Sequence, residues 1–524
     1  MLVAAGGTYF FVSLKSVASE AITVEIADGV VRGALEGQTA VYRGIPYALP
    51  PVGKFRWRAP RAPESWGGVL EALDFGPVCP QPVRSSRPID LPQDEDCLTL
   101  NVWAPANHNI PLPVMVWIHG GAFRLGSGSL PFYDGSALAK SGVVVVTFNY
   151  RLGKLGFFSH PALSQEHDLN YPEELEGNYG LLDQIAALRW VHKNISKFGG
   201  DPNNVTIFGE SAGAVSVNYL MTSNLVEGLF NKAISQSGGG FQHARSLRKR
   251  DAHGRPSLEE EGSTWAGSIE LPEGSGVDEL KALPVETIVP QASIKNLGLG
   301  PVIDGRLILG DIGQRFERGE ALNVPYIVGA NNYEASLMKA TGMSGDRIYE
   351  FFGSDKDRAI ELYKSEGIEN KEPLLNALYG DATFVAPSKY LADKSSSKNQ
   401  LTWHYYFSYV PVKLRGKMPG AAHGSKIPFV FGSLSQLKAA RLWLQRDDKE
   451  MSTVLLSYWS NFAKSGNPNG AGLPTWAPYN AIDRSTILIA DEGIRVEKKL
   501  FERRLDFHID RFDNALSPPL FLVE

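Results

Sequence analysis

Ser211 lies between two glycines in Gly209-Glu210-Ser211-Ala212-Gly213. A serine so placed can act as a nucleophile if the chain turns sharply from strand to helix and lifts the hydroxyl clear of the sheet. The pentapeptide alone says little, since chance supplies about 0.2 copies in a chain of this length. Its flanks say more. Val205-Thr206-Ile207-Phe208 is an apolar, strand-like run, and Ala212 to Met221 reads as a helix. Gly209 and Gly213 carry no Cβ, so neighbouring backbone can approach the turn. The serine would also sit at a helix N-terminus, where the dipole favours developing negative charge. The plainer alternative is a turn serine that only caps a helix.

A second segment complements the first. His119-Gly120-Gly121-Ala122-Phe123 directly follows the apolar run Val114-Met115-Val116-Trp117-Ile118. Small residues after a strand let backbone N–H groups converge on one point. The N–H groups of Gly121 and Ala122, with that of Ala212 from the serine turn, would form an oxyanion hole. One such donor is typically worth about 3 kcal/mol of barrier. His119, inside this loop, is expected to brace it rather than to act as a base. Composition cannot select a base from the ten histidines. There is no HExxH and no phosphate-binding loop, so no metal or cofactor is expected.

The surrounding elements must hold these loops together. Ile22 to Tyr42 alternates short β-type runs with glycine turns and predicts an N-terminal antiparallel sheet. Val143 to Phe148 is a continuous β-branched run, as a strand buried on both faces requires. Leu181, Ile185, Leu188 and Val191 repeat at helical spacing, and Tyr326 to Gly329 and Trp403 to Phe407 read as later strands. This alternation predicts a large α/β fold: a mostly parallel central sheet with helices on both faces. The stretch 242–286 is charged, glycine-rich and weakly periodic, and reads as an insertion over one edge of the core. Asp355 to Asp393 looks helical and belongs to a second cap region, near 340–395. The remainder, 22–524, reads as one domain.

Bulk properties bound the partners. A net charge of −5 gives no reason to expect nucleic acid. The basic run Arg245 to Arg250 reads as a solvated loop. No stretch approaches the roughly 20 apolar residues of a membrane span. Residues 1–21 are ambiguous between a cleaved signal and a disordered segment: Leu2 to Leu14 is apolar and Ser16-Val17-Ala18 resembles a cleavage site, but a basic leading region is missing. The only cysteines, Cys79 and Cys97, are close enough in sequence to favour a bridge over free thiols. A bridge would suit a secreted or periplasmic protein, a cytoplasmic one being the alternative.

Longer motifs carry a resemblance. The run from Phe198 to Gly213 resembles the active-site signature of the type-B carboxylesterase family, within the α/β-hydrolase superfamily, and Glu95 to Val102 resembles its second signature. Tyr42 to Ala48, Asn149 to Gly153, Gly177 to Gln184 and Phe462 to Pro468 are similar as well. The likeness runs from about residue 22 to about residue 510. It implies a triad in the order serine, acid, histidine. The acid segment of the family matches Gly329 to Glu334, and its histidine segment matches Ala422 to Phe431, so the resemblance assigns Glu334 and His423. It also places Cys79 and Cys97 where the family closes its first disulfide loop. The activity implied is hydrolysis of small carboxylic esters through an acyl-enzyme on Ser211. A non-catalytic adhesion protein on the same fold is the competing reading, and an interfacial lipase a third. The first usually lacks an intact triad; the second needs an apolar lid, which the charged 242–286 segment suits poorly.

Three positions depart from the family pattern. The Cys79–Cys97 loop holds no tryptophan to bind choline, so acetylcholine is not expected as a specific substrate. The oxyanion loop has Ala122 where many members have a third glycine. Lys426 stands where many carry a glutamate, and it is expected to approach Glu210 within salt-bridge or water-bridged distance, pointing to solvent being the alternative.

Overall fold

The computed structural model describes residues 21–82, 91–251, 254–272, 274–289, 300–436 and 444–513. The signal-like segment Leu2 to Ala18 lies outside them. A 13-stranded sheet organises the chain. Its strands are β1 (Ala21–Ile26), β2 (Gly29–Glu36), β3 (Thr39–Pro46), β4 (Val69–Glu71), β5 (Thr99–Pro105), β6 (Leu112–Ile118), β7 (Val144–Phe148), β8 (Gly200–Glu210), β9 (Lys232–Gln236), β10 (Tyr326–Asn331), β11 (Thr402–Phe407), β12 (Ser485–Ala490) and β13 (Gly493–Lys498). They lie in the order β1-β2-β3-β5-β7-β6-β8-β9-β10-β11-β12-β13, with β4 beside β2. From β7 to β12 every neighbour is parallel. The β1–β3 meander is antiparallel, as expected, but it is not a separate sheet: β3 joins the parallel strands through β5.

Strand alternation explains why both faces are covered. Val114, Val116 and Ile118 of β6 enter one buried cluster, while Met115 and Trp117 enter another. In β7, Val144 and Val146 join the first cluster and Val145 the second. Successive side chains of a strand point to opposite faces, so two clusters fed by one strand mean two dry faces. The helices Tyr179–Asn194, Ala212–Met221 and Ala386–Ser397 supply the first cluster. The helices Ile427–Phe431 and Arg446–Ser465 supply the second.

The stretch 242–286 is better ordered than its composition suggests. The helix Leu258–Ser268 starts with a reciprocal capping box between Ser257 and Glu260. The basic run before it is solvated only in its second half, Arg248 to Arg250. Arg245 is buried in an ion pair with Glu261, Arg248 pairs with Asp168 and Glu176, and Arg250 pairs with Glu260. Carboxylates on two flanking segments neutralise the run and tie it down.

Cys79 and Cys97 form a disulfide, with Cα atoms 5.0 Å apart and a sequence separation of 18. Closing a loop of that length removes unfolded-state entropy worth about 3 kcal/mol. The double variant Cys79→Ala/Cys97→Ala is therefore expected to lose about that much stability in a denaturant titration; an unchanged midpoint would contradict the entropic account.

Candidate active site

All the singled-out loops leave the sheet at the C-terminal ends of parallel strands. This is where ligands bind in open α/β sheets. The His119 loop follows β6, Ser211 follows β8, Glu334 follows β10, and the segment bearing His423 follows β11.

Ser211 has φ 56° and ψ −126°, a left-handed conformation that costs an L-residue about 1–3 kcal/mol. The surroundings hold it there. Its N–H donates to Gln236 O at 2.9 Å, and its own carbonyl accepts the first helical bond from Val215 N. A Cβ on Gly213 would fall 2.0 Å from Ile118 O, and one on Gly209 would fall 2.5 Å from the Gly213 backbone. Both positions therefore need glycine. Ala212 opens the helix Ala212–Met221, so its N–H has no intrahelical acceptor.

The loop after β6 is equally constrained. Gly121 has φ 114°, and a Cβ there would fall 2.0 Å from Leu125 O. Ala122 and Phe123 both adopt positive φ, at 56° and 58°. Ala122 thus adopts the backbone form that a glycine would take at no cost. His119 braces this loop, as expected. It is fully buried, its ring stacks on Tyr150 at 4.4 Å between centroids, and its Nδ1 lies 2.8 Å from Gly120 O. Burial pulls its pKa down to about 4, which keeps it neutral. The loop touches the serine turn, since a Cβ on Gly120 would come within 3.1 Å of the Ser211 Cβ.

Glu334 and His423, separated by 89 residues in sequence, meet at 2.5 Å between Oε2 and Nδ1. The other carboxylate oxygen accepts from Asn331 N at 2.7 Å. The two loops are stitched together by backbone and amide bonds. Asn331 Nδ2 donates to Ala422 O, Ala421 N donates to Asn332 Oδ1, Tyr333 N donates to Ala421 O, and His423 N donates to Ser336 Oγ. On the far side of the ring, His423 Nε2 faces Glu210 Oε1 at 3.1 Å. Phe384 packs on the imidazole at 5.1 Å, from a short π-helical turn at Asp381–Val385.

The electrostatics follow from this geometry. Burial lowers the His423 pKa, but Glu210 and Glu334 more than offset it, so the net shift is upward. Burial raises the Glu334 pKa, yet His423, Lys426 and the Asn331 N–H hold it below the ordinary value. Lys426 is fully buried, so the solvent-facing alternative fails. Its ammonium donates to Ser237 Oγ at 3.1 Å and Asn331 Oδ1 at 3.0 Å. The direct approach to Glu210 gives way to these neutral partners, because the Glu210 carboxylate is turned toward His423.

Asn331, Ser336, Ser237 and Phe384 were not singled out from sequence. Asn331 was within reach, since it lies in the segment that identified Glu334. The others contact the site only through folding, and no local pattern marks them. Among the described residues no group of histidine, cysteine, aspartate and glutamate side chains could hold a metal ion, and no helix is long and apolar enough to cross a membrane.

A mostly parallel sheet with helices on both faces and its chemistry on the strand ends defines the α/β-hydrolase fold. Within it, this chain belongs to the Carboxylesterase family, whose model matches residues 20–508. It is 37% identical to the para-nitrobenzyl esterase of Bacillus subtilis (strain 168) over 90% of this chain and 94% of that protein. It is also 37% identical to the fumonisin B1 esterase of Sphingopyxis macrogoltabida, over 86% of this chain and 83% of the relative. A carboxylesterase of Geobacillus stearothermophilus superposes with a TM-score of 0.78 at 35% identity, covering 92% of this chain and 98% of that one. The protein is a carboxylic ester hydrolase.

Proposed function

We propose that Ser211, His423 and Glu334 are the catalytic triad and that the N–H groups of Gly121, Ala122 and Ala212 form the oxyanion hole. The observation that carries this reading is the 2.5 Å pair between His423 Nδ1 and the buried Glu334, with His423 Nε2 against Glu210, the residue before Ser211. With Nδ1 donating to Glu334, Nε2 is the ring nitrogen left to take the serine proton. Ser211 Oγ attacks the ester carbonyl, and His423 accepts its proton. The carbonyl oxygen gains negative charge facing the three N–H donors. His423 then protonates the departing alcohol, which leaves an acyl-enzyme on Ser211. Water, deprotonated by His423, attacks the acyl carbon; the carboxylic acid departs and the proton returns to Ser211.

The substrate proposed is a small carboxylic ester. The charged helices between 242 and 286 do not offer the apolar lid that an interfacial lipase needs. We read that segment and 340–395 as caps on one domain. A para-nitrophenyl ester series from acetate to palmitate, with mass spectrometry of the quenched enzyme, tests the whole reading. Turnover with an acyl adduct on the Ser211 peptide is expected, strongest on short or medium chains. No turnover at any chain length would instead favour a binding role.

The pH dependence has a definite sign. Catalysis needs neutral His423, and two carboxylates favour its protonated form. The acid limb of kcat/KM is therefore expected above the ordinary histidine value of 6.5. A limb below that value would contradict the Glu210 contact as a working feature. We further propose export to an oxidising compartment, supported by the Cys79–Cys97 bridge; recovery of the protein with both thiols free in the cytoplasmic fraction would sink this.

A further inference from the structure

Lys426 has no exposure to water. A buried ammonium is retained only where nearby anions or hydrogen bonds offset its lost hydration. Its two hydrogen-bond partners, Ser237 and Asn331, are neutral. Burial pulls the Lys426 pKa below its ordinary value, and the negative charge that opposes this comes from Glu210 and Glu334. Both carboxylates also act on His423, one at each ring nitrogen.

The titratable groups nearest this pocket come from several elements. Glu210 ends β8, Glu334 follows β10, and His423 and Lys426 lie in the segment after β11. Tyr405 and Tyr406 approach from β11, and Tyr379 from the helix Lys371–Gly380. Burial pushes all three phenols far up, so they stay uncharged in the working range. Tyr405 also presents its ring to the Lys426 ammonium at 5.6 Å. The balance therefore involves two carboxylates, one lysine and one histidine. Lys426 opposes the two carboxylates at His423, so its loss would push the histidine pKa further up.

Lys426 also has a mechanical link to the acid. Its Nζ donates to Asn331 Oδ1, while the same residue's backbone N–H donates to Glu334 Oε1 and its Nδ2 to Ala422 O, next to His423. One ammonium thus fixes the residue that orients the acid and tethers the base.

We propose that Lys426 is the counter-cation of the catalytic centre, a positioning residue that balances Glu210 and Glu334 and so releases His423 to carry protons. This rests on the reading of His423 as the base. A protein with a glutamate at this position would have to handle its site charge differently, so the pH dependence of this enzyme should depend on Lys426 in particular.

The test is the pH profile of kcat/KM on para-nitrophenyl acetate for wild type, Lys426→Met, Glu210→Gln and the double variant. Removing the cation raises the affinity of His423 for its proton, so the acid limb of Lys426→Met moves to higher pH by about one unit or more. Glu210→Gln moves it to lower pH, and the double variant returns toward wild type. At pH values above both limbs, Lys426→Met recovers the part of its activity lost to the charge imbalance, but not the part lost with the bond to Asn331. Unmoved limbs in a folded Lys426→Met would overturn the proposal. If that variant does not fold, Lys426→Gln keeps an amide donor for Asn331 while deleting the charge, and gives the same readout. Failure of both to fold would mark a purely structural lysine and also overturn it. Ser211→Ala distinguishes the two readings: if it stays active, the triad assignment fails; if it is dead while the Lys426→Met limb is unmoved, only the counter-cation fails.

Discussion

Ser211→Ala is expected to lower kcat on para-nitrophenyl acetate by about 10⁶-fold, with a fold indistinguishable from wild type by circular dichroism. The size follows from what is removed. Without the hydroxyl no acyl-enzyme can form, and only the oxyanion donors and substrate binding remain to act on a direct attack by water. The fold survives because nothing in the turn depends on Oγ. Its geometry is set by the Ser211 N–H bond to Gln236, the Val215 N bond to the Ser211 carbonyl, and the close approaches at Gly209 and Gly213. Alanine carries the same backbone strain at φ 56° that serine does. A variant that keeps a tenth of wild-type turnover would require a different nucleophile.

The second large effect is at the acid. Glu334→Gln should cost about 10⁴-fold in kcat, with little change in KM. The reason is directional. Asn331 N donates to Oε1, so a glutamine will keep its carbonyl oxygen there and turn its NH₂ toward His423 Nδ1. That nitrogen must then accept, which moves the ring proton to Nε2 and leaves nothing to take the serine proton. The substitution also deletes one of the two anions that raise the His423 pKa, so the residual activity should show an acid limb at lower pH than wild type. A variant within tenfold of wild type would mean that Glu334 does not set the tautomer.

Much of the scaffold was legible in the sequence because buried parallel strands are chemically plain. Val114 to Ile118 is apolar without interruption and Val143 to Phe148 is broken only by Thr147, and the structure gives β6 and β7 there. The helix Ala212–Met221 matches its sequence reading residue for residue. β9 was not seen. Its sequence, Lys232-Ala233-Ile234-Ser235-Gln236, ends in polar residues that nonetheless lie buried in mid-sheet. They are there because the strand end serves the site: Gln236 O receives the Ser211 N–H and Gln236 Nε2 donates to Gly209 O. A strand that spends its polar groups on a neighbouring loop has no apolar signature. The same reasoning covers the triad. Ser211 has a local pattern because its turn is made by adjacent residues. Glu334 and His423 have none, since their meeting depends on β10 and β11 lying side by side, and only family resemblance could single them out.

The stitching between the loops after β10 and β11 also has a consequence in time. A ribosome delivers Ser211, its turn and the oxyanion loop first, and His423 only after β11 has been made. At roughly 5–20 residues per second, Ser211 waits on the order of ten seconds or more for the histidine proposed to activate it. During that interval the nascent chain holds an unactivated alcohol, inert toward the esters around it. On the proposed triad, reactivity is switched on by the arrival of one late loop, when Asn331, Asn332 and Ser336 receive Ala421 to His423.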